Sequence, residues 1–228
     1  MSHSTFTGNR AIGANGGPGK AGGVGSGGAI ANLGGHNFNA ALTVTQSTFI
    51  DNEATGGQGG AGADGGVGRG GGIFNSGSEA IVAGFSTLNL SHSELRGNRA
   101  TGGAGGTGAP VGRGGEGIGG GILNLGPAVA TVSRSSLSQN QAVGGDGSDG
   151  GNGFGGGVYN DATASLQLER SIVTENQAAG GDGGAGGSDG QGIGGGVYNL
   201  GGFDFDALTL IFHNDASTSH DDVFDPFA

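Results

Sequence analysis

The chain has 228 residues but no cysteine, no tryptophan, four prolines and one methionine. Without cysteine there is no disulfide, no thiolate nucleophile and no thiolate-ligated structural zinc. Four prolines are too few for a collagen triple helix, which wants proline at roughly 15–20 %. Lysine is nearly absent: Lys20 stands alone, and 8 bases face 19 acids for a net charge of −11. That balance gives no electrostatic footprint for nucleic acid or an anionic membrane, so neither is expected as a partner. The charge is lopsided. Residues 1–140 carry 6 acids and 7 bases, net +1, and residues 141–228 carry 13 acids and 1 base, net −12. No apolar run approaches the ~18 residues of a membrane-spanning helix, so membrane insertion is not expected. Met1-Ser2-His3 leads straight into repeat sequence. No signal peptide is read there, and the chain reads as a piece of a longer protein.

What is abundant is glycine, 61 residues in 228, against about 7 % in an average protein. Each glycine inside a helix costs ~1 kcal/mol relative to alanine, which excludes an ordinary helical domain. Hydrophobic residues still make up 33 % of the chain, in short clusters sufficient for a narrow core.

The clusters recur in one order. A Gly-Gly-small-apolar-x-Asn block starts near residues 27, 70, 119, 155 and 194. An alternating block follows at Ala41–Thr45, Ser86–Leu90, Ala130–Ser133, Ser165–Leu168 and Ala207–Leu210. A Ser-x-apolar-x-x-Asn-x-Ala block closes each repeat at Ser47–Ala54, Ser93–Ala100, Ser135–Ala142 and Ser171–Ala178, with a starting copy at Ser4–Ala11 and a degenerate one at Phe212–Ala216. Three short strands per repeat predict an all-β fold: a right-handed parallel β-helix of about five coils forming one domain over 1–228, with coils roughly 4.8 Å apart.

Period-two alternation assigns the faces. Expected inward are Ile30, Ile73, Ile122, Val158 and Val197; then Leu42/Val44, Leu88/Leu90, Val132, Leu166/Leu168 and Leu208/Leu210; then Phe6, Phe49, Leu95, Leu137 and Val173. Asparagines Asn32, Asn75, Asn124, Asn160 and Asn199, and a second set Asn9, Asn52, Asn98, Asn140, Asn176 and Asn214, fall at strand ends. Amides stacked at the coil period can bond to one another and to turn backbone, so these read as structural ladders.

Between each closing alanine and the next first strand lies a glycine-rich arm: residues 12–26, 55–69, 101–118, 143–154 and 179–193. Every length is a multiple of three, and glycine fills 28 of 30 in-phase positions. A three-residue period means an extended threefold helix without internal hydrogen bonds, so the arms are expected to pair with one another as polyglycine II. Each folds back near Pro18, Asp64, Ala109-Pro110, Ser148-Asp149 or Ser188-Asp189. The other reading is flexible loops. Residues 217–228, with Asp221, Asp222 and Asp225, read as an acidic C-terminal cap that discourages edge pairing, while the N-terminal end shows no such element and end-to-end self-association stands among the partner readings.

Gly27-Gly28-Ala29-Ile30, Phe6-Thr7-Gly8-Asn9 and Phe49-Ile50-Asp51-Asn52 resemble the GGAI and FxxN repeats of chlamydial polymorphic outer membrane proteins. The remaining copies are similar to the wider set of bacterial right-handed parallel β-helix surface proteins. The resemblance covers nearly the whole chain and implies a pectin-lyase-like solenoid, secreted or displayed at the cell surface, often as an adhesin. The chain departs from that pattern in its long Gly-x-x arms and in having no membrane barrel after the repeats. By the Gly-x-x phase alone, the arms resemble the polyglycine II bundles of springtail antifreeze proteins and phage tail-tip adhesins.

A scaffold of this kind can carry several chemistries. Saccharide cleavage on this scaffold needs clustered acids on one outward face. The expected outward columns of the second strand are Thr43, Thr87, Thr131, Ser165 and Thr209, then Thr45, Asn89, Ser133, Gln167 and Ile211, without an acid pair. Asp51, Gln139 and Glu175 share one third-strand column, whereas His3, His36, His92, His213 and His220 share none. Asp146, Asp149, Asp182 and Asp189, in adjacent arms, are the candidate calcium ligands. Phe74, Leu123, Tyr159 and Tyr198 stack in an outward first-strand column with Ala31; this stripe is either covered by the arms or a surface for a glycan or host protein. The expectation is a non-catalytic, extracellular spacer or adhesive module without a cofactor. The alternatives are a carbohydrate-active fragment or an ice-binding protein, the latter resting on the threonine column.

Overall fold

A computed structural model describes residues 1–78 and 84–227. The described chain is all strand, turn and bend, with five parallel sheets and no helix. A first sheet holds Ile30–Leu33, Ile73–Ser76, Ile122–Leu125, Val158–Asn160, Val197–Asn199 and Val223–Phe224. A second holds Ala40–Thr45, Ser86–Ser91, Ala128–Ser133, Ser165–Glu169 and Gly202–Phe205, and a third runs from Thr5–Thr7 through Thr48–Ile50, Glu94–Arg96, Ser136–Ser138 and Ile172–Thr174 to Leu210–Phe212. The chain visits the sheets in the same order each time and pairs each strand with its equivalent in register, an arrangement compatible with a parallel β-helix or solenoid.

Each coil has five strands rather than the three expected. The closing alanine sits in its own fourth-sheet strand, Glu53–Thr55, Arg99–Thr101, Gln141–Val143 or Gln177–Ala179. The foot of each returning arm adds a two-residue fifth strand, such as Gly117–Ile118 or Gly153–Phe154. The extra strands arise at corners. Left-handed residues at φ 48–56° turn the chain before the third sheet (Gln46, His92, Arg134, Arg170) and after it (Asp51, Gln139, Glu175). A third corner, before the first sheet, is glycine in every coil: Gly27, Gly70, Gly119, Gly155 and Gly194, at φ 60–67°.

The core is a pile of like on like. Phe49, Leu95, Leu137 and Val173 are fully buried in one column, Ile73, Ile122, Val158 and Val197 in another. Each such side chain contributes ~1.5–3 kcal/mol on burial. Phe6 and Phe49 stack at 4.7 Å where the column meets the N-terminal end.

Three expectations are corrected by the register. In the last coil Phe203 and Phe205, not Leu208 and Leu210, face Leu166 and Leu168, and Leu208 and Leu210 are exposed. The reason is Thr209, whose hydroxyl accepts the amide of Ser171 and so continues the serine row of Ser47, Ser93, Ser135 and Ser171. The outward second-sheet columns are Ala41, Thr87, Val129, Ser165, Gly202, then Thr43, Asn89, Thr131, Gln167, Asp204, then Thr45, Ser91, Ser133, Glu169. Pairing Leu88 with Leu42 slides Thr87 beside Ala41, so the uniform threonine column dissolves. His3 and His92 do share a position, the left-handed corner ahead of the serine.

The arms form two rows, outgoing and returning. In the outgoing row Gly13, Gly56, Gly102 and Gly144 donate to the carbonyls of Thr55, Thr101, Val143 and Ala179 at 2.8–2.9 Å. In the returning row Gly22, Gly65, Gly114 and Gly150 donate to Asp64, Arg113, Asp149 and Ser188 at 2.8–2.9 Å. A second glycine in each Gly-Gly pair ties the rows together: Gly66 donates to Gly57 and Gly103 to Gly66, both at 2.8 Å. Two of the expected fold-back points move. The tips lie at Ala61-Gly62 and Ala185-Gly186, where glycine takes φ of 75° and 86°. Asp64 and Asp189 instead accept the amides of Arg113 and Gly183.

Candidate functional site

The asparagine sets are hydrogen-bonded ladders. Asn52 Nδ2 donates to Asn98 Oδ1, Asn98 to Asn140 and Asn140 to Asn176, at 2.8–2.9 Å, and each backbone amide donates to the same oxygen at 3.0–3.1 Å. The second proton of each amide reaches a main-chain carbonyl one coil back, as Asn98 does to Phe49. Asn32, Asn75, Asn124, Asn160 and Asn199 make the second ladder at 2.7–2.8 Å. These side chains spend their hydrogen-bonding capacity inside the molecule.

The apolar stripe is mostly interior. Phe74 is 7 % exposed and Leu123 1 %, which leaves neither with accessible surface for a partner. Tyr159 and Tyr198 are half-buried and stack at 5.2 Å, with Phe154 from an arm root and Phe224 from the tail against Tyr198 at 4.9 and 4.6 Å. Burial pushes the Tyr159 phenol well above its ordinary pKa, with Asp161 adding to the effect. Burial and then Glu116 raise Tyr198.

Three of the four arm aspartates, Asp146, Asp149 and Asp189, accept backbone amides. Asp146 Oδ1 accepts the amide of Asp182 at 2.9 Å, Asp149 Oδ1 that of Ser188 at 3.2 Å and Asp189 Oδ1 that of Gly183 at 2.9 Å. Asp149 also meets Arg113 at 3.4 Å. Among the described residues no three acidic or histidine side chains group as a metal site.

An open groove of about 710 Å³ runs along the corner between the second and third sheets. Gln46, His92, Arg134 and Arg170 form one wall, and Thr48, Glu94, Ser136 and Ile172 the other. The ion pairs recorded for the described residues are Arg10–Glu53, Arg96–Glu94 and Arg113–Asp149; Arg134 and Arg170 belong to none of them. Sequence reasoning missed this row because nothing in the types Gln, His and Arg announces a left-handed corner. The available signal was position, immediately before each Ser-x-apolar-x-x-Asn block. Asp206 was missed as well. It accepts the amides of Arg170 and Leu208 and the Thr209 hydroxyl, and the Arg170 amide is the main cause holding its carboxyl below the usual range.

No family model, curated protein or solved structure matches this chain.

Proposed function

We propose that the chain is a right-handed parallel β-helix module with polyglycine II arms, acting without catalysis as a rigid spacer and adhesive surface in a larger extracellular protein. The observation that carries the reading is the arm network. Each of the first four arms donates its in-phase amides, apart from those at the tips such as Gly62 and Gly108, to the arm of the following coil, so five loops become one slab fused to the stack. Flexible linkers would leave those amides to water. The corner groove is the surface offered to a glycan or protein partner, because it lines up polar side chains across four coils, among them Arg134 and Arg170, which belong to none of the ion pairs of the described residues. The outward face of the second sheet carries two carboxylates, Asp204 in a column with Gln167 and Thr131 and Glu169 in a column with Ser133 and Ser91; no column stacks acid on acid, which weighs against the carbohydrate-active alternative. The mixed columns likewise weigh against ice binding.

Hydrogen exchange of the arm glycines tests the rigid reading: protection comparable to the core strands is expected, and exchange at the rate of a free peptide would sink it. Incubation with polysaccharides, followed by reducing-end assay, tests the non-catalytic reading. Release of reducing ends that is lost in Asp204→Asn would transfer support to the alternative.

A further inference from the structure

The corner groove gathers positive charge that the molecule leaves unpaired. The left-handed corner before the third sheet is His3, Gln46, His92, Arg134 and Arg170 in successive coils. Arg134 and Arg170 are both exposed. They stand one coil apart, since Ser133 pairs with Glu169 and Ser136 with Ile172, a spacing of about 4.8 Å. Neither guanidinium makes a hydrogen bond or an ion pair with the described residues. Arg170 is also the only lysine or arginine in residues 141–228, against 13 acids. In so acidic a stretch a lone base gains most beside a carboxylate, yet this one is stacked on another base, where like charges repel. Two carboxylates adjoin the row. Glu94 meets Arg96 at 3.4 Å, and Glu169 lies beside Arg134 and Arg170 without pairing with either.

The rest of the groove decides which anion fits. Every backbone amide of the two walls is already bonded, in the His92 wall to the following coil or to Asp206 and in the Glu94 wall to the preceding coil. A peptide therefore finds no strand edge to extend. Among the described lining residues Ile172 alone is apolar, so a peptide's apolar anchors find no pocket either. What the groove offers is side chains in a row: the Gln46 amide, the His92 imidazole and two guanidinium forks, with the Ser136 hydroxyl opposite. A guanidinium fork takes an oxyanion through paired hydrogen bonds, and the amide, imidazole and hydroxyl suit sugar hydroxyls. We propose that the groove binds a linear acidic saccharide with carboxylate or sulfate groups on adjacent rings, laid across the strands and along the stack. Arg134 and Arg170 each hold one anionic group, and Gln46 and His92 hold hydroxyls of the rings beyond. Three coil steps separate Gln46 from Arg170, about 14 Å, which a short oligosaccharide fills. This inference rests on the adhesive reading of the groove and names its ligand.

The test titrates the full chain, by calorimetry at low and at physiological salt, with an oligouronate, a sulfated oligosaccharide, a neutral oligosaccharide of matched length, and poly-glutamate. At least one acidic saccharide should bind, more weakly as salt rises, and the neutral one should not. Which of the two acidic probes binds tells carboxylate from sulfate. Arg134→Gln and Arg170→Gln should each weaken binding about two- to fivefold, and the double variant by about their product. Glutamine already stands at this corner as Gln46, at φ 48°, so the variants should keep the melting temperature of the native chain. Glu169→Gln should tighten binding, because it removes the carboxylate beside the two arginines. Acidic saccharide binding that both arginine variants leave intact overturns the proposal. Poly-glutamate bound as tightly as the saccharides, and lost with the arginines, overturns it in favour of an acidic peptide. A neutral saccharide bound as tightly as the acidic ones overturns the acidic ligand and leaves the adhesive groove standing. Binding of none of the four probes also overturns the proposal, while the adhesive reading then rests on a protein partner.

Discussion

Asn140 Oδ1 accepts two hydrogen bonds from one residue, the backbone amide of Asn98 at 3.0 Å and its side-chain amide at 2.9 Å. Both residues are fully buried. Asn140→Ala therefore strands two buried donors of Asn98 as well as creating a void. Each stranded donor costs about 1–3 kcal/mol, so a loss of several kcal/mol is expected in denaturant unfolding. Asn9→Ala, at the exposed end of the same ladder, should cost well under half as much, because Asn52 Oδ1 keeps the backbone amide of residue 9. Equal losses at the two sites would mean that the ladder is not cooperative with the core.

The arms offer a sharper contrast. A Cβ on Gly105 would collide with the carbonyl of Gly112, whereas Thr107 points to solvent. Gly105→Val should lower the melting point and open the arm to protease, while Thr107→Val should stay within about 0.5 kcal/mol. Gly62 belongs to a different case. It lies at an arm tip with φ 75°, and its Cβ direction meets Pro110 O at 3.4 Å, an ordinary contact. Gly62→Ala should cost about 1–2 kcal/mol from the left-handed backbone alone. Indistinguishable melting and nicking in all three variants would return the arms to flexible loops.

The buried stripe predicts stability effects where a docking surface would show binding effects. Leu123→Ala removes a side chain that is 1 % exposed, and such changes cost about 2–5 kcal/mol. Phe74→Ala should behave similarly. Full stability after either change would show that the column is a surface after all.

Much of this fold was legible because each column repeats one chemical demand. Leu88 must stack on Leu42 and Asn98 on Asn52, so the inward rows and ladders appear in the sequence as periodic types. The second glycine phase was harder to see. The in-phase glycines show as a period along each arm, but Gly57 and Gly103 exist for contact between rows, which a single arm read alone does not contain. The final coil was misread because Thr209 substitutes for serine and its neighbours Leu208 and Leu210 imitate an inward pair. Its spacing gave the answer: Asn214 follows Thr209 by five residues, as Asn176 follows Ser171. The corner groove was the least legible, since a left-handed position accepts Gln, His or Arg without a compositional mark.

The two tyrosines give a titration that no other chromophore obscures, because the chain has no tryptophan. Burial raises both phenols, Tyr159 further than Tyr198, with Asp161 and Glu116 opposing ionisation. A raised folded-state pKa means that the neutral phenol is the form the fold favours. The contribution to stability is therefore complete below the unfolded value of about 10 and is lost as pH rises through the folded values. Phenolate absorbance of the folded protein should stay low at the pH where the denatured chain is half ionised. It should then rise with Tyr198 leading and Tyr159 following. Tyr159→Phe should delete the later phase and keep the earlier one. It should also flatten the alkaline loss of stability, because the variant carries one fewer group to ionise on unfolding. Normal titration of both phenols in the folded state would show that Phe154 and Phe224 do not shield the Tyr198 ring, and that the stripe's tyrosine end is open to solvent.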